Sequence, residues 1–169
     1  MLDTTLCYIE SGGCYLMLHR VKKKNDLNEG KWVGLGGKFE KGETAEQCLL
    51  REVKEESGLT LKDWNYRGVV DFVSDRWEEE NMHLYTATIE EDRPTLPECR
   101  EGVLEWVPIE ELYELPMWEG DRIFFELIAS GAPFFRLYLR YEGSALVEAN
   151  LADRQIRLPF SGKLTDCFT

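Results

Sequence analysis

The stretch GKFEKGETAEQCLLREVKEESGL, residues 37–59, carries the reading of the whole chain. Its opening, with Gly37 and Gly42, is too rich in glycine for a helix interior. Thr44 stands where an N-cap would, a helical pattern follows to about Ser57, and Gly58 is placed to end it. At about 100° per residue from Ala45, Leu49 falls at about 40°, Val53 at about 80°, Leu50 at about 140° and Cys48 at about 300°, a broad apolar face. Gln47, Arg51 and Lys54 lie opposite. Glu56, at about 20°, and Glu52, at about 340°, fall inside the apolar sector, with Glu55 at its edge. A carboxylate facing a core is costly unless its charge is compensated, and three together raise one another's pKa. The i, i+3, i+4 spacing brings all three to one patch. A divalent cation with hard oxygen ligands, Mg²⁺ or Mn²⁺, removes both difficulties. The wheel by itself fits a Glu-rich surface helix as well.

Upstream, Leu6–Glu10 and Cys14–His19 read as two strands joined at Ser11-Gly12-Gly13. Between His19 and Lys41 there are seven Lys and Arg residues against three acids, either a solvated basic loop or a rim that steers phosphate. Arg20 and Lys38 lie in it as candidate substrate contacts. Downstream, strand-like runs appear at Arg67–Ser74, His83–Ile89 and Leu104–Val107. Pro108 opens a short helix, Ile109–Leu115, and a second helix spans Trp118–Ala129 before Gly131. Phe134–Tyr141 and Ala145–Ala149 read as a final hairpin, and the tail after Asn150 shows no clear pattern. Strands with one helix in the middle and one near the end predict an α/β domain, a mixed sheet flanked by helices.

The chain has 169 residues, 43% hydrophobic and 12% aromatic, enough to bury one core. No apolar run reaches a membrane span and no basic leader opens the chain, so a cytoplasmic protein without a membrane partner is expected. Five cysteines without CxxC spacing argue against a disulfide framework or a zinc site. With two histidines, His19 and His83, any metal is held by oxygen. A net charge of −12 argues against binding nucleic acid polymers. A small anionic ligand remains compatible with the uneven charge.

Residues 37–59 match, position for position, the Nudix box: Gly37, Glu43, Arg51, Glu52, Val53, Glu55, Glu56, Gly58 and Leu59 occupy its defining places. A chance match is on the order of 10⁻⁸ per window at average residue usage. GKWVGLGGK (30–38) and PMWEGD (116–121) extend the similarity to the MutT-type 8-oxo-dGTP diphosphatases, over roughly Thr4 to Tyr141.

The resemblance implies a Nudix-type α/β/α sandwich in a single domain, residues 1–150, with 151–169 as a tail of unassigned structure. It implies a magnesium-dependent hydrolase, with Mn²⁺ as a substitute, that cleaves a phosphoanhydride in a nucleotide. Glu52, Glu55 and Glu56 become metal ligands, one of them, Glu52 first, also the base that activates water. Gly37 contributes its carbonyl and Glu101 a further carboxylate. Arg51 and Glu43 pair to orient the site. Arg20 matches a phosphate contact, and Trp118 and Asp121 match residues that read a purine. The chain departs from some relatives in carrying Val33 where they have a base-binding Asn, and Gly120-Asp121 where they have two acids. The preferred substrate is 8-oxo-dGTP, hydrolysed to the monophosphate and pyrophosphate, a role in nucleotide metabolism linked to DNA repair. The alternatives are another dNTP, ADP-ribose or a dinucleoside polyphosphate, or a non-catalytic nucleotide-binding module. The small-molecule nucleotide is the expected partner of a monomer or homodimer.

Overall fold

The turn at Gly12-Gly13, both with positive φ (56° and 75°), reverses the chain between β1 (Leu2–Ser11) and β2 (Cys14–His19), which pair antiparallel at Ser11↔Cys14. The computed structural model describes residues 1–169. They form two compact units: Thr4–Tyr66 with Tyr85–Met117, and Met1–Asp3 and Arg67–Leu84 with Trp118–Thr169.

In the first unit the two strands diverge past their turn, and the glycine-rich segment pairs with both. β3 (Trp32–Val33) lies on Leu18 and His19 of β2, and Leu35 exchanges backbone hydrogen bonds with Cys7 of β1. β6 (Val103–Pro108) pairs antiparallel with β2 from Cys14↔Pro108 to His19↔Val103. A 3₁₀ turn, Ile109–Glu114, follows it where a short helix was expected, and closes earlier than Leu115.

α1 (Ala45–Ser57) forms because both its ends are satisfied locally. Thr44 Oγ1 accepts from Gln47 N (3.1 Å) while Gln47 Oε1 accepts from Thr44 N (3.0 Å), a reciprocal cap. Gly58 takes the left-handed conformation, φ 72°, and its N–H donates to Lys54 O. The buried face is Cys48, Leu49, Val53 and Ser57, narrower than the wheel suggested. Leu50 stands 37% exposed, because the half-buried Glu52 and Glu56, not Leu50, continue the inward face. Leu49 and Val53 pack into a core with Cys7, Ile9, Leu16, Leu18 and Leu35.

β4 (Asp63–Ser74) and β5 (Glu80–Thr88) run through both units. In the second unit, β7 (Phe135–Glu142) pairs parallel with β4 from Gly68↔Phe135 to Ser74↔Tyr141. Its alternation buries Phe135, Leu137, Leu139 and Tyr141. β8 (Ala145–Leu151) pairs antiparallel with β7, so the α/β class and the mixed sheet are those expected. α2 (Glu119–Ala129) starts one residue after Trp118, and buries Ile123, Phe124 and Leu127. The hairpin of β7 and β8 is not the last element. β9 (Arg154–Gln155) pairs with β8, Ile156 bridges Phe168, and Ile156 and Cys167 are buried. The pattern was unreadable because two paired residues are too few to show a period. No helix is long and apolar enough to cross a membrane.

Candidate metal and phosphate site

The capped α1 holds three glutamates on rigid backbone, and the structure treats them differently. Glu56 is the most enclosed: its Oε1 accepts from Gly36 N at 2.9 Å, and its Oε2 is buried with no hydrogen-bond partner. Burial pushes its carboxyl up to about 8, against the Gly36 N–H, with the charges of Glu101 and Glu52 adding to the rise. Glu52 is raised as well, first by burial and then by Glu55 and Glu101, while Arg51 opposes. Glu55 lies at the outer edge, its side chain 58% exposed.

Arg51 organises the rim. Its Nε and Nη2 donate to the two oxygens of Glu43 at 2.7 and 2.8 Å, a bidentate pair. Nη1 donates to Glu52 at 2.7 Å and to Glu55 at 3.3 Å, and Nη2 also reaches Lys38 O at 3.1 Å. The Arg51 hydrogen bonds pull the Glu43 carboxyl down to about 2. The guanidinium is correspondingly held in its charged form, above its usual range, by Glu43 first.

Gly37 faces Glu52: a β-carbon at 37 would stand 2.6 Å from the Glu52 carboxyl. Its carbonyl accepts from Thr5 N at 2.9 Å and lies 3.5 Å from the Cys48 thiol. Glu101, in the loop before β6, is within electrostatic reach of Glu52 and Glu56 and accepts from Arg20 Nη1 at 2.5 Å. Arg20 also donates from Nε to Asp26 at 2.7 Å and is only 12% exposed, so it is enclosed between two acids. Lys38 is exposed.

Trp118 and Asp121 belong to the second unit. Trp118 is 7% exposed and packs edge-on against Phe72 and Tyr141, and Asp121 is 5% exposed in the first turn of α2. Gly120 between them has no room for a side chain, since a β-carbon would stand 2.7 Å from the Tyr141 hydroxyl and would strike Leu139. That packing accounts for the missing acid at 120.

Three contributors were not visible in the sequence: Asp26 behind Arg20, the Gly36 N–H on Glu56, and the Cys48 thiol near the Gly37 carbonyl. Asp26 carried one signal, an acid directly after the run Lys22-Lys23-Lys24-Asn25.

A divalent cation fits these residues. The buried Glu56 oxygen lacks a partner, and the charges of Glu101 and Glu52 disfavour ionisation of Glu56, the condition a cation relieves. All available donors are hard oxygens. His83 pairs with Asp3 and His19 stacks on Trp32, and all five cysteines are buried thiols. The side chains do not stand as a finished three-ligand cage, because Arg51 engages Glu52 and Glu55.

Comparison with known proteins bears on the family and the fold. The family model described as the NUDIX domain matches residues 3–128. The oxidized purine nucleoside triphosphate hydrolase of Danio rerio is 32% identical over 78% of this chain and 83% of its own length. A Bacillus subtilis Nudix hydrolase, YvcI, is 27% identical over 75% and 78%. The crystal structure of a MutT protein from Bacillus halodurans superposes with a TM-score of 0.77 at 27% identity, covering 89% of this chain and 97% of that one.

Proposed function

Because the chain belongs to the Nudix family, a group of hydrolases acting on nucleotides, we propose that it is a Mg²⁺-dependent pyrophosphohydrolase of oxidised purine nucleoside triphosphates, with 8-oxo-dGTP as its preferred substrate. The observation that carries the proposal is the buried, unpartnered Glu56 oxygen, set beside Glu52 and within reach of Glu101 on a helix capped at both ends. The oxidised purine specificity is supported by the name of the zebrafish relative.

In this reading Glu52, Glu55, Glu56, Glu101 and the Gly37 carbonyl hold Mg²⁺, for which Mn²⁺ can substitute. When bound, the ion neutralises phosphate charge and lowers the pKa of coordinated water. Arg51 releases Glu55 toward the ligand and keeps its bond to one oxygen of Glu52, while its bidentate bond to Glu43 holds the guanidinium in place. Glu52 is the group assigned to take a proton from the attacking water. Its partial burial raises its basicity, and Arg51 Nη1 at 2.7 Å keeps it oriented. The exposed Lys38 and the basic run His19–Lys41 offset the net charge of −12 where a triphosphate approaches. Trp118 and Asp121 are assigned to the base.

The test is release, at millimolar-scale Mg²⁺, of pyrophosphate from 8-oxo-dGTP, dGTP and dATP and of AMP from ADP-ribose. A strong preference for 8-oxo-dGTP, reduced in Asp121→Ala more than overall turnover is, supports the assignment. Activity spread evenly over the nucleotides, or confined to ADP-ribose, keeps the hydrolase and discards this substrate. No Mg²⁺-dependent release from any of them favours a nucleotide-binding module.

A further inference from the structure

The loop between β2 and β3 is rich in lysine, yet it also encloses an acid. Asp26 has a side chain only 9% exposed and accepts from Arg20 Nε at 2.7 Å. Two backbone bonds close the loop at its base, Arg20 N to Lys31 O (2.9 Å) and Gly30 N to Arg20 O (2.7 Å), so Arg20 is held by main chain as well as by side chain. Lys22 Nζ donates to Cys99 O at 2.9 Å and ties this loop to the one that carries Glu101. Arg20 Nη1 then grips Glu101 Oε2 at 2.5 Å. The result is a carboxylate–guanidinium–carboxylate chain, Asp26–Arg20–Glu101, whose outer end is the one partly exposed member, 40%, and whose charge reaches both Glu52 and Glu56, while the Arg20 charge reaches Glu56 as well.

A guanidinium facing one carboxylate rotates about its stem. One with a second, enclosed carboxylate on Nε has its plane fixed, and the remaining nitrogens point where that plane directs. Asp26 supplies the enclosed partner. We propose that Asp26 is a positioning residue for the metal site: by fixing the Arg20 plane it keeps Glu101 beside Glu52 and Glu56. Arg20, which the resemblance matches to a phosphate contact, then acts mainly through Glu101. The inference rests on the proposed metal site to the extent that Glu101 is one of its ligands.

Mn²⁺ binding to the full chain, followed by electron paramagnetic resonance without nucleotide, tests it. Asp26→Asn removes the charge and keeps the shape, and is expected to weaken Mn²⁺ binding about tenfold, the lower end of what losing a ligand's supporting partner costs. The KM for nucleotide at saturating Mg²⁺ is expected to stay within about twofold of wild type. Arg20→Lys, which cannot bridge two carboxylates in one plane, is expected to give the same loss and serves if Asp26→Asn does not fold. The deciding measurement is a double-mutant cycle with Glu101→Gln. If Asp26 acts through Glu101, adding Asp26→Asn to Glu101→Gln weakens Mn²⁺ no further. Fully additive losses, or wild-type Mn²⁺ affinity in Asp26→Asn and Arg20→Lys alike, overturn the inference, as does a rise in nucleotide KM with Mn²⁺ affinity unchanged. If Glu101→Gln alone leaves Mn²⁺ binding untouched, it is the membership of Glu101 in the site that fails, and the inference with it.

Discussion

Gly37 and Glu52 approach so closely that a β-carbon on residue 37 would stand 2.6 Å from the Glu52 carboxyl carbon and 2.6 Å from its Oε1. The backbone at 37 is not left-handed, so alanine can adopt it, and the conflict lies with the tip of a flexible side chain. Gly37→Ala is therefore expected to fold with a stability loss of about 1 kcal/mol or less, while displacing Glu52 from its bond to Arg51. Turnover should fall by roughly two orders of magnitude, as for a ligand set moved by about an ångström. Thermal melts and Mg²⁺ titration of activity check both halves; normal turnover in a folded Gly37→Ala protein would remove Glu52 from the mechanism.

The Arg51–Glu43 pair sets an acid limit. The Glu43 carboxyl is held at about 2 in the folded chain, below its ordinary value of 4.5, chiefly by the Arg51 hydrogen bonds. Its contribution is present above the unfolded value and is lost as pH falls through the folded one, so the window is about 4.5 down to 2. Melting temperature followed across that window should drop less steeply in Glu43→Gln than in wild type. Parallel curves would mean the pair contributes nothing to acid stability.

Glu56 has the opposite sign. Burial raises it to about 8, so the folded chain keeps a proton there between pH 4.5 and 8 that the unfolded chain has lost. Metal-free protein is thus expected to lose stability as pH rises through that window. Mg²⁺ binding at pH 7 must expel the proton. Calorimetry in buffers of different ionisation enthalpy should report release of about one proton, and Glu56→Gln should abolish it. A buffer-independent heat in the wild type would show that Glu56 does not meet the ion.

Tyr141 supports the start of α2. Its hydroxyl, in a side chain 1% exposed, accepts from the buried Gly120 N–H at 2.9 Å, one of the donors a helix N-terminus leaves open. Tyr141→Phe keeps the ring against Trp118 and Phe72 but orphans that N–H, an expected loss of roughly 1–3 kcal/mol. Chemical denaturation measures it. A loss confined to a few tenths would mean that water reaches Gly120.

What the sequence determined by itself was local. The Nudix box, the extent of α1 and its glycine stop could be read because each signal involves residues within a few positions of one another, the range over which caps, turns and helical faces are made. The alternation of β7 was legible for the same reason. Tertiary structure decided what depends on distant partners. The parallel pairing of β4 with β7 joins residues 67 apart, as in Gly68↔Phe135. The Arg20–Glu101 bond spans 81 positions, and Asp26 gains its meaning only once that bond exists. Leu50 shares the wheel's apolar sector but is left exposed, and a β-carbon at 120 is excluded by Tyr141. Periodicity states which residues can face inward; which inward-facing group finds a partner, and which is left like the Glu56 oxygen without one, follows only from the packing of segments remote in sequence.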